Sequence, residues 1–488
     1  MSQFAVLPDP GQAQTLDEVT GSLRLLKTWA GNPSYETITA RVNGPRPPSG
    51  QVGKTTVVDC FRAGRRRLDP DLVVAVVQAL HADAGYVNQW RQALRVASGE
   101  TRGAADQVRV LGRLPAETSG FLGRTPEIAA LRPLPAGAGY VLAGMPGVGK
   151  TSLAVHAAHR FAAARRFDRI LAVNLRGSHA DQPPADPAAV LDGFLRLLGT
   201  EGQRLPHGLA ARAAAFRARL ADLRVLVLLD DAADELQVRP LLPSAPGSIT
   251  LITSRRRLDG LPEATSVPVA EFRPAEARDY LSLAVPDLPS GSDPAAADRI
   301  AETCGRLPLA LARAAAHMRD RPGWTLTDHA DWLAERHRSG RLDPRVGQAL
   351  DTSYRRLPAR ARGLLRLLAL HPGGSFDAYA AAVLAGLTPG AADAALHDLA
   401  AQHLLCPTGP ARWSLPDLVR VHAAARSADE DRRADRRAAL TRLLDHLLTA
   451  DAPPSDLAAA AAYAAAEGWP AHATRLRERA GRSHSASR

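Results

Sequence analysis

The sequence predicts a multidomain protein in which an α/β domain with a parallel sheet is flanked by an all-α N-terminal domain and by C-terminal helical and winged-helix subdomains. Short apolar strands alternate with helices between residues 120 and 270, a pattern typical of a parallel sheet covered on both faces. On either side of this region the strand signals fade and helical patterns dominate. A length of 488 residues is also too great for one domain of ordinary size.

Composition narrows the class of protein. Hydrophobic residues make up 45% of the chain and charged residues 23%, as in ordinary globular proteins. No apolar run reaches the length of a membrane span and no signal segment is present, so a cytoplasmic protein without membrane contact is expected. Cys60, Cys304 and Cys406 are scattered and form neither a metal-ligand pair nor a disulfide framework. The net charge of +11 permits an anionic partner.

The N-terminal part is predicted to be a loose tail over residues 1–14 and a helical domain over residues 15–100. Five short helices with a run of arginines resemble a Cro/repressor-type helix-turn-helix module, with the helix Lys54–Phe61 reading DNA. The expected DNA contacts are Lys54, Thr55, Thr56, Arg62, Arg65, Arg66 and Arg67. The connection Asn43–Gly53 is longer than the usual turn of such a motif. The alternative is therefore a helical adaptor domain whose arginines form a solvated face.

A polar linker is expected over residues 101–119, followed by the α/β domain over residues 120–270. Its strands are expected at Tyr140–Ala143, Ile170–Leu175, Val225–Leu229, Ile249–Thr253 and Ser266–Val269. Helices near Ser152–Ala164, Pro187–Leu198 and Gly208–Leu220 separate the earlier strands.

The first of these strands runs into a Gly-rich turn that carries the strongest motif of the chain. From Gly144 onward the spacing fits the phosphate-binding pattern G-x-x-x-x-G-K-[ST] of P-loop NTPases, in which backbone N–H groups and a helix N-terminus bind phosphate. Nucleotide contacts are expected from Gly144, Met145, Pro146, Gly147, Val148, Gly149, Lys150, Thr151 and Ser152. Lys150 would reach the β- and γ-phosphates and the Thr151 hydroxyl would bind Mg²⁺. Only three of the 61 basic residues are lysines, and a retained lysine suits a compact ammonium in a tight loop.

A similar string, Gly53-Lys54-Thr55-Thr56, is not interpreted as a second site. Pro48 stands where the first glycine is required, and no apolar strand precedes it.

Two later strands complete the predicted catalytic set, which comprises Lys150, Asp230, Asp231 and Arg255. The strand Val225–Leu229 ends in the two aspartates, of which Asp230 would hold Mg²⁺ and Asp231 would orient or deprotonate the attacking water. The strand Ile249–Thr253 leads to Arg255, whose guanidinium could meet a γ-phosphate with two hydrogen bonds.

The C-terminal part divides into four predicted segments: a helical subdomain, a winged-helix subdomain, a helical stub and a tail, over residues 271–345, 346–425, 426–480 and 481–488. The winged-helix subdomain is expected to carry a hairpin formed by Leu404–Cys406 and Ala411–Ser414.

Five motifs occur in the order found in NB-ARC modules of the STAND class of signal-transduction ATPases. They are Gly123-Arg124, the phosphate loop, Asp230-Asp231, Thr253-Ser254-Arg255 and the segment from Gly305 through Leu307-Pro308-Leu309-Ala310. From Phe121 to about Ala425 the chain therefore resembles such a module, and with its N-terminal domain it resembles bacterial helix-turn-helix/NB-ARC regulators. The resemblance implies a switch that ADP closes and ATP opens. It also implies that Arg124 contacts the nucleotide and that Pro308 lies against the adenine.

The sequence departs from this family in three places. Thr125 replaces an acidic residue that is usual in the upstream motif. Pro416 stands where the family usually has a histidine that contacts the ADP β-phosphate, so a weaker ADP-bound closed state is expected. A single helix pair, Ala459–Ala466 and Ala471–Ala480, stands where tetratricopeptide repeats usually follow, which predicts a truncated repeat region and another polypeptide as the trigger.

The function expected from the sequence is an ADP/ATP-dependent switch with Mg²⁺ and slow hydrolysis that regulates transcription by binding DNA. A nucleotide-dependent homo-oligomer is part of this expectation. The alternative is a signalling or defence scaffold whose N-terminal helices recruit a protein partner. A constitutive P-loop enzyme is disfavoured, because helical and winged-helix modules follow the sheet where a substrate domain would be expected.

Overall fold

The computed structural model describes residues 7–10, 13, 15–44, 51–64, 68–97, 108–131, 138–179, 182–201, 205–450 and 452–486. Within these ranges the fold class predicted from the sequence is confirmed: a mostly parallel sheet forms the centre of an α/β domain, with helical domains before and after it.

The N-terminal domain contains five described helices around a small apolar core. They are α1 (Leu16–Trp29), α2 (Tyr35–Asn43), α3 (Lys54–Asp59), α4 (Pro70–Leu80) and α5 (Ala84–Ala97). Thr15 and Glu18 form a capping box that fixes the start of α1. Leu23, Val57 and Trp90 are fully buried where the helices meet. The expected loose tail is wrong for part of its length, because the Tyr86 hydroxyl donates a hydrogen bond of 2.7 Å to the Pro8 carbonyl.

The central sheet has six strands: β1 (Val110–Leu111), β2 (Ala138–Ala143), β3 (Arg169–Asn174), β4 (Val225–Ala232), β5 (Ile249–Ser254) and β6 (Ala264–Pro268). Their order is β1-β3-β4-β5-β2-β6, and only β1 runs antiparallel to its neighbour. The expected linker therefore ends earlier than residue 119, since Val110 and Leu111 pair with β3 at the sheet edge. Strand β5 separates β2, which leads into the phosphate loop, from β4, which carries the two aspartates.

Helices cover both faces of this sheet. They are α6 (Thr125–Ala130), α7 (Lys150–Ala164), α8 (Pro187–Leu197), α9 (Leu209–Leu220) and the short α10 (Glu235–Val238). Alternate residues of β4 enter different cores: Leu226 and Leu228 pack on the side of α7, whereas Val225, Val227 and Leu229 pack on the side of α8 and α9. A strand buried on both faces is a continuous apolar run, which is why β4 was recognisable in the sequence.

The helical subdomain after the sheet contains α11 (Pro274–Ala284), α12 (Ala296–Thr303), α13 (Pro308–Arg319) and α14 (Leu326–Arg338). The next block contains α15 (Pro344–Arg356), α16 (Ala359–Leu368), α17 (Ala378–Ala385), α18 (Pro389–Ala401) and α19 (Asp417–Glu430). Its antiparallel sheet has the order β7-β9-β8, with β7 at Phe376–Asp377, β8 at Cys406–Gly409 and β9 at Arg412–Ser414. The expected hairpin is thus displaced by a few residues and gains a third strand.

The chain ends in α20 (Arg433–Leu447), α21 (Pro454–Ala466) and α22 (Pro470–Ala486). The expected tail over residues 481–488 is wrong up to Ala486, because α22 continues through it. No single helix in the described ranges is long and apolar enough to cross a membrane. The pair α17 and α18 meets the length and composition criteria only together, across a bend of 107°.

Candidate functional site

The phosphate loop lies at the carboxyl end of β2, where open α/β sheets bind their ligands. Gly147 and Gly149 adopt left-handed backbone conformations, with φ of +80° and +91°. At Gly144 a side chain would be excluded by packing, because an added Cβ would lie 2.3 Å from the Val269 carbonyl oxygen. The loop then enters α7 at Lys150, so the helix N-terminus faces the space enclosed by the loop.

Lys150 is held inside this loop. Its ammonium donates hydrogen bonds of 2.8 Å and 2.9 Å to the carbonyl oxygens of Gly144 and Met145. The pKa of Lys150 is lowered to about 7, mainly by burial and also by the nearby charge of Arg255. A phosphate anion bound in the loop would favour the charged form of Lys150 and raise its pKa again. The site is therefore suited to an anionic ligand.

Asp230 lies opposite the start of α7. The hydroxyls of Thr151 and Thr253 each donate to Asp230 Oδ1 at 2.7 Å, and the Asn174 amide donates to Oδ2 at 3.2 Å. Burial raises the pKa of Asp230, while the two hydroxyl donors oppose that shift. A hydroxyl beside a carboxylate is a suitable partial ligand set for Mg²⁺, which usually keeps several waters and phosphate oxygens. In the described part of the chain no cluster of three or more His, Cys, Asp or Glu forms a metal site.

Asp231 contacts the segment after β3. The β4–β5 pairing is irregular between Leu229 and Ala232, and Asp231 has a left-handed φ of +55°. Its two carboxylate oxygens accept hydrogen bonds from the Ser178 backbone N–H at 2.8 Å and from the Ser178 hydroxyl at 2.5 Å. The two neighbouring aspartates therefore have different partners: Asp230 accepts from side chains of α7, β5 and β3, and Asp231 accepts from the β3–α8 connection.

A cavity of about 490 Å³ joins these groups. The phosphate loop and side chains from three strand ends contribute polar groups to its lining. The lining also contains apolar and aromatic side chains: Phe121, Leu122, Phe272, Tyr280, Pro308, Leu309 and Ala312. A cavity that combines polar and apolar groups in this way suits a nucleotide, which carries both phosphates and a base.

Arg124 lies at this cavity, but its guanidinium is bound by the protein itself. It donates to the carbonyl oxygens of Val148 at 2.6 Å and Ala270, and to Glu127 at 2.9 Å. It also lies over the Phe272 ring, with its Cζ 4.7 Å from the ring centroid. In this arrangement the guanidinium braces the phosphate loop against the segment after β6, and Arg124 also lines the cavity where its nucleotide contact is expected.

Arg255, which is expected to meet a γ-phosphate, contacts another part of the protein in this arrangement. Its Nη1 donates to the Ala349 carbonyl at 2.6 Å and to the Ser353 hydroxyl at 3.0 Å, both in α15. Arg255 still lines the cavity, but in this arrangement the guanidinium joins the α/β domain to the following helical block.

Pro308 and Leu309 bring the helical subdomain to the loop. The Leu309 backbone N–H donates to the Gly147 carbonyl at 3.1 Å, which connects the start of α13 directly to the phosphate loop. Pro308 lies beside Gly149, with its Cγ 3.6 Å from the position that a Cβ there would occupy. The proline thus contacts the loop as well as lining the cavity.

Pro416 immediately precedes α19 and is not among the residues that line the cavity. The same helical block does contain a histidine, His403, close to the charges of Lys150 and Arg257. Burial lowers the pKa of His403 to about 4, with further contributions from Lys150 and Arg257. Its Nε2 is buried without a hydrogen-bond partner among the described residues.

The expected DNA contacts of the N-terminal domain lie apart from this site. Lys54, Thr55 and Thr56 are exposed on α3, but Lys54 forms an ion pair with Glu36. Arg62 is exposed and lies 3.2 Å from Asp59. Arg65, Arg66 and Arg67 lie outside the described residues.

Asn174 and Ser178 were missed in the sequence, although both contact an aspartate of the site. Asn174 ends β3 and Ser178 follows it, and β3 neighbours the aspartate-bearing β4. The rule that the ends of neighbouring parallel strands converge could have found them, but the strand order was not evident from the sequence alone.

The sheet and the phosphate loop together define an α/β core of the P-loop NTPase fold. No protein-family model matches the chain. It is 39% identical over 349 residues to regulatory protein AfsR of Streptomyces griseus, an alignment covering 69% of this chain and 35% of that protein. It is 38% identical over 404 residues to regulatory protein AfsR of Streptomyces coelicolor, covering 79% of this chain and 40% of that protein. The aligned part of this chain thus spans less than half the length of these relatives.

Two solved structures match part of the chain at low sequence identity. A STAND protein with a tetratricopeptide repeat sensor from Pyrococcus horikoshii is 19% identical, with a TM-score of 0.31, and the match covers 72% of this chain and 49% of that one. A Walker-type ATPase of Pyrococcus abyssi is 14% identical, with a TM-score of 0.42, and the match covers 64% of this chain and 98% of that one.

Proposed function

We propose that this protein is a nucleotide-dependent molecular switch that binds ADP or ATP with Mg²⁺, hydrolyses ATP slowly and regulates transcription. The observation that carries this proposal is the meeting of the phosphate loop, Asp230 and the helical subdomain at one cavity, from which Arg255 also reaches the following helical block. A nucleotide bound there would touch parts of the protein that are separate along the chain.

The binding step is supported by the donors of the phosphate loop. Lys150, the N-terminus of α7 and the left-handed glycines suit a polyphosphate, and Thr151 with Asp230 suits Mg²⁺. Bound Mg²⁺ would supply positive charge that neutralises phosphate oxygens. Asp231 is the proposed general base, because it is the second carboxylate at the cavity and needs no metal contact for that role.

The switching step is supported by the contacts of Arg255 and Leu309. In this arrangement Arg255 donates from Nη1 to two acceptors on α15, which leaves Nη2 and Nε as the donors for a γ-phosphate. A γ-phosphate that drew Arg255 into the cavity would release α15. The Leu309–Gly147 bond would meanwhile keep α13 on the loop, so we propose that the helical block after residue 345 moves relative to the α/β domain.

The regulatory step is supported by the relatives named regulatory protein AfsR and by the N-terminal helical domain with exposed α3. We propose that residues 15–100 bind DNA, that residues 346–425 act as a winged-helix subdomain and that nucleotide state controls homo-oligomer formation. A second candidate is a scaffold that recruits a protein partner. The pairing of Lys54 with Glu36 and of Arg62 with Asp59 favours it, because those cations are partly neutralised within the domain.

Equilibrium titration with a fluorescent ATP analogue tests the core of the proposal. The full chain is expected to bind it, and Lys150→Ala is expected to lose binding because the loop then lacks its cation. Asp231→Asn is expected to bind normally and to hydrolyse more slowly. The exposed Arg338→Ala change on α14 serves as the control, since the ion pair of Arg338 in the described part of the chain is with Glu335 on the same helix. Unchanged affinity in Lys150→Ala would refute the loop assignment.

A further inference from the structure

The side chain of Asp231 is held by one residue, Ser178. Both carboxylate oxygens are engaged: Oδ2 accepts from the Ser178 backbone N–H at 2.8 Å and Oδ1 from the Ser178 hydroxyl at 2.5 Å. A general base needs a lone pair within hydrogen-bond reach of the water that it deprotonates. Asp231 lines the cavity, but the lone pairs that accept hydrogen bonds from Ser178 are not available to a water there.

The segment that carries Ser178 is fixed closely against the end of β4. The Gly177 N–H donates to the Asp231 carbonyl at 2.5 Å. A Cβ at Gly177 would lie 2.3 Å from that same carbonyl oxygen, so only glycine permits the approach. Arg176 has a left-handed φ of +53°, and its backbone N–H donates to the Asn174 side chain at 2.8 Å.

Both aspartates therefore accept hydrogen bonds from the same short segment, residues 174–178. Asn174 donates to Asp230 at its beginning, and Ser178 donates to Asp231 at its end. Residues held in left-handed conformations at Arg176 and Asp231 store conformational energy that the surrounding contacts must maintain. The local fold thus maintains the contact between Ser178 and Asp231 at a conformational cost.

We propose that the Ser178 hydroxyl restrains Asp231 in a position that is unproductive for hydrolysis and thereby keeps the ATP-bound state long-lived. This inference rests on the proposed function, because it assigns a rate-setting residue to the same nucleotide site. In the hydrolytic step the water oxygen forms a bond to the γ-phosphorus, and the bond from that phosphorus to the β,γ-bridging oxygen breaks with its electron pair leaving on ADP. The water proton passes to Asp231. Release of the Ser178 hydroxyl from Oδ1 frees the carboxylate to turn toward that water.

The test compares ATP turnover by the full-length protein and by Ser178→Ala, with the affinity for a fluorescent ATP analogue measured in parallel. Alanine removes the hydroxyl donor and leaves the backbone N–H bond to Oδ2 in place. A hydrogen bond to a charged group changes an equilibrium by roughly tenfold or more, so turnover is expected to rise about tenfold with unchanged affinity. The matched control is Ser248→Ala, a buried serine whose hydroxyl binds Leu223 and Val225 at the opposite end of the strands.

The double variant Ser178→Ala/Asp231→Asn separates this role from a structural one. If Ser178 acts through Asp231, the gain in turnover disappears in the double variant. Turnover that falls or stays the same in Ser178→Ala while ATP still binds overturns the inference and leaves the proposed switch intact. Absence of ATP binding by the unaltered protein overturns both.

Discussion

The guanidinium Nη1 of Arg255 and the hydroxyl oxygen of Ser353 lie 3.0 Å apart, and this contact joins the end of β5 to α15. The same nitrogen donates to the Ala349 carbonyl one helical turn earlier. Burial lowers the pKa of Arg255, and a desolvated guanidinium without partners would be costly, so these two acceptors stabilise its position.

Replacement of Arg255 by alanine is expected to loosen α15 from the α/β domain. Hydrogen exchange of the α15 amides should become faster, and ADP should dissociate several-fold faster because Arg255 itself lines the cavity. Arg345→Ala, an exposed arginine on the same helix, is the control. Unaltered exchange in Arg255→Ala would show that the contact does not hold the block in place.

Nucleotide affinity should depend on pH through Lys150. In the nucleotide-free protein burial lowers the pKa of Lys150 to about 7, whereas bound phosphates favour the charged form. Binding above pH 7 is therefore coupled to proton uptake, and affinity should fall by about tenfold per pH unit between pH 7.5 and 9. Calorimetry in buffers of different ionisation enthalpy measures the proton directly, and an uptake close to zero at pH 8.5 contradicts the assignment.

The lowered pKa of Lys150 also affects stability, but here the expected change with increasing pH is a rise, whereas nucleotide affinity falls. The unfolded chain keeps its lysine protonated up to the ordinary pKa, so it binds more protons than the folded nucleotide-free chain between about pH 7 and that value. The free energy of unfolding should therefore rise with pH over this window. A comparison with Lys150→Met isolates the contribution, since that variant should lack this part of the rise.

Pro416→His is expected to supply the histidine that the position before α19 lacks and to slow ADP release. Pro416 has no N–H or side-chain donor, and it does not line the cavity in the present arrangement. Release of ADP measured by chase with unlabelled nucleotide should become at least several-fold slower. If the unaltered protein already retains ADP tightly and Pro416→His has the same release rate, the closed state does not depend on this position.

DNA binding should show the salt dependence of phosphate contacts. Binding of the full chain should weaken steeply with salt, and Lys54→Ala should reduce the slope of log K against log salt by about 0.9 if Lys54 contacts one phosphate. Glu36→Gln should strengthen binding, because it releases Lys54 from its ion pair. No binding at low salt would favour the scaffold alternative.

A stability test is available in the helical block after residue 345. Arg366 donates to Asp431 at 2.9 Å, to Glu430 at 2.8 Å and to the Tyr354 hydroxyl at 2.7 Å, and its side chain is 17% exposed. Arg366→Ala leaves these groups without their shared donor, which should cost about 1–3 kcal/mol, less than for a fully buried pair because water still reaches the site. Urea unfolding followed by circular dichroism measures it, with the exposed Arg360→Ala on α16 as the control.

Local features of this protein were predictable from the sequence, and relations between distant segments were not. The turn from Gly144 to Thr151 was recognisable because its strand, glycines and helix are consecutive. Arg124 and Arg255 were expected to point at the nucleotide, but their acceptors belong to residues far along the chain. Strand β1 was read as linker because two residues give no periodic signal, and it exists through pairing with β3.

Strand β5 has a consequence for protein engineering. Its end touches the aspartates of β4 through Thr253 and the helical block through Arg255, two residues apart. A chimaera that exchanged the segment after residue 345 with that of a relative would replace the acceptors Ala349 and Ser353 while keeping the arginine. Functional exchange therefore requires that the end of β5 and α15 be transplanted together, although Arg255 and Ala349 are 94 positions apart in the sequence.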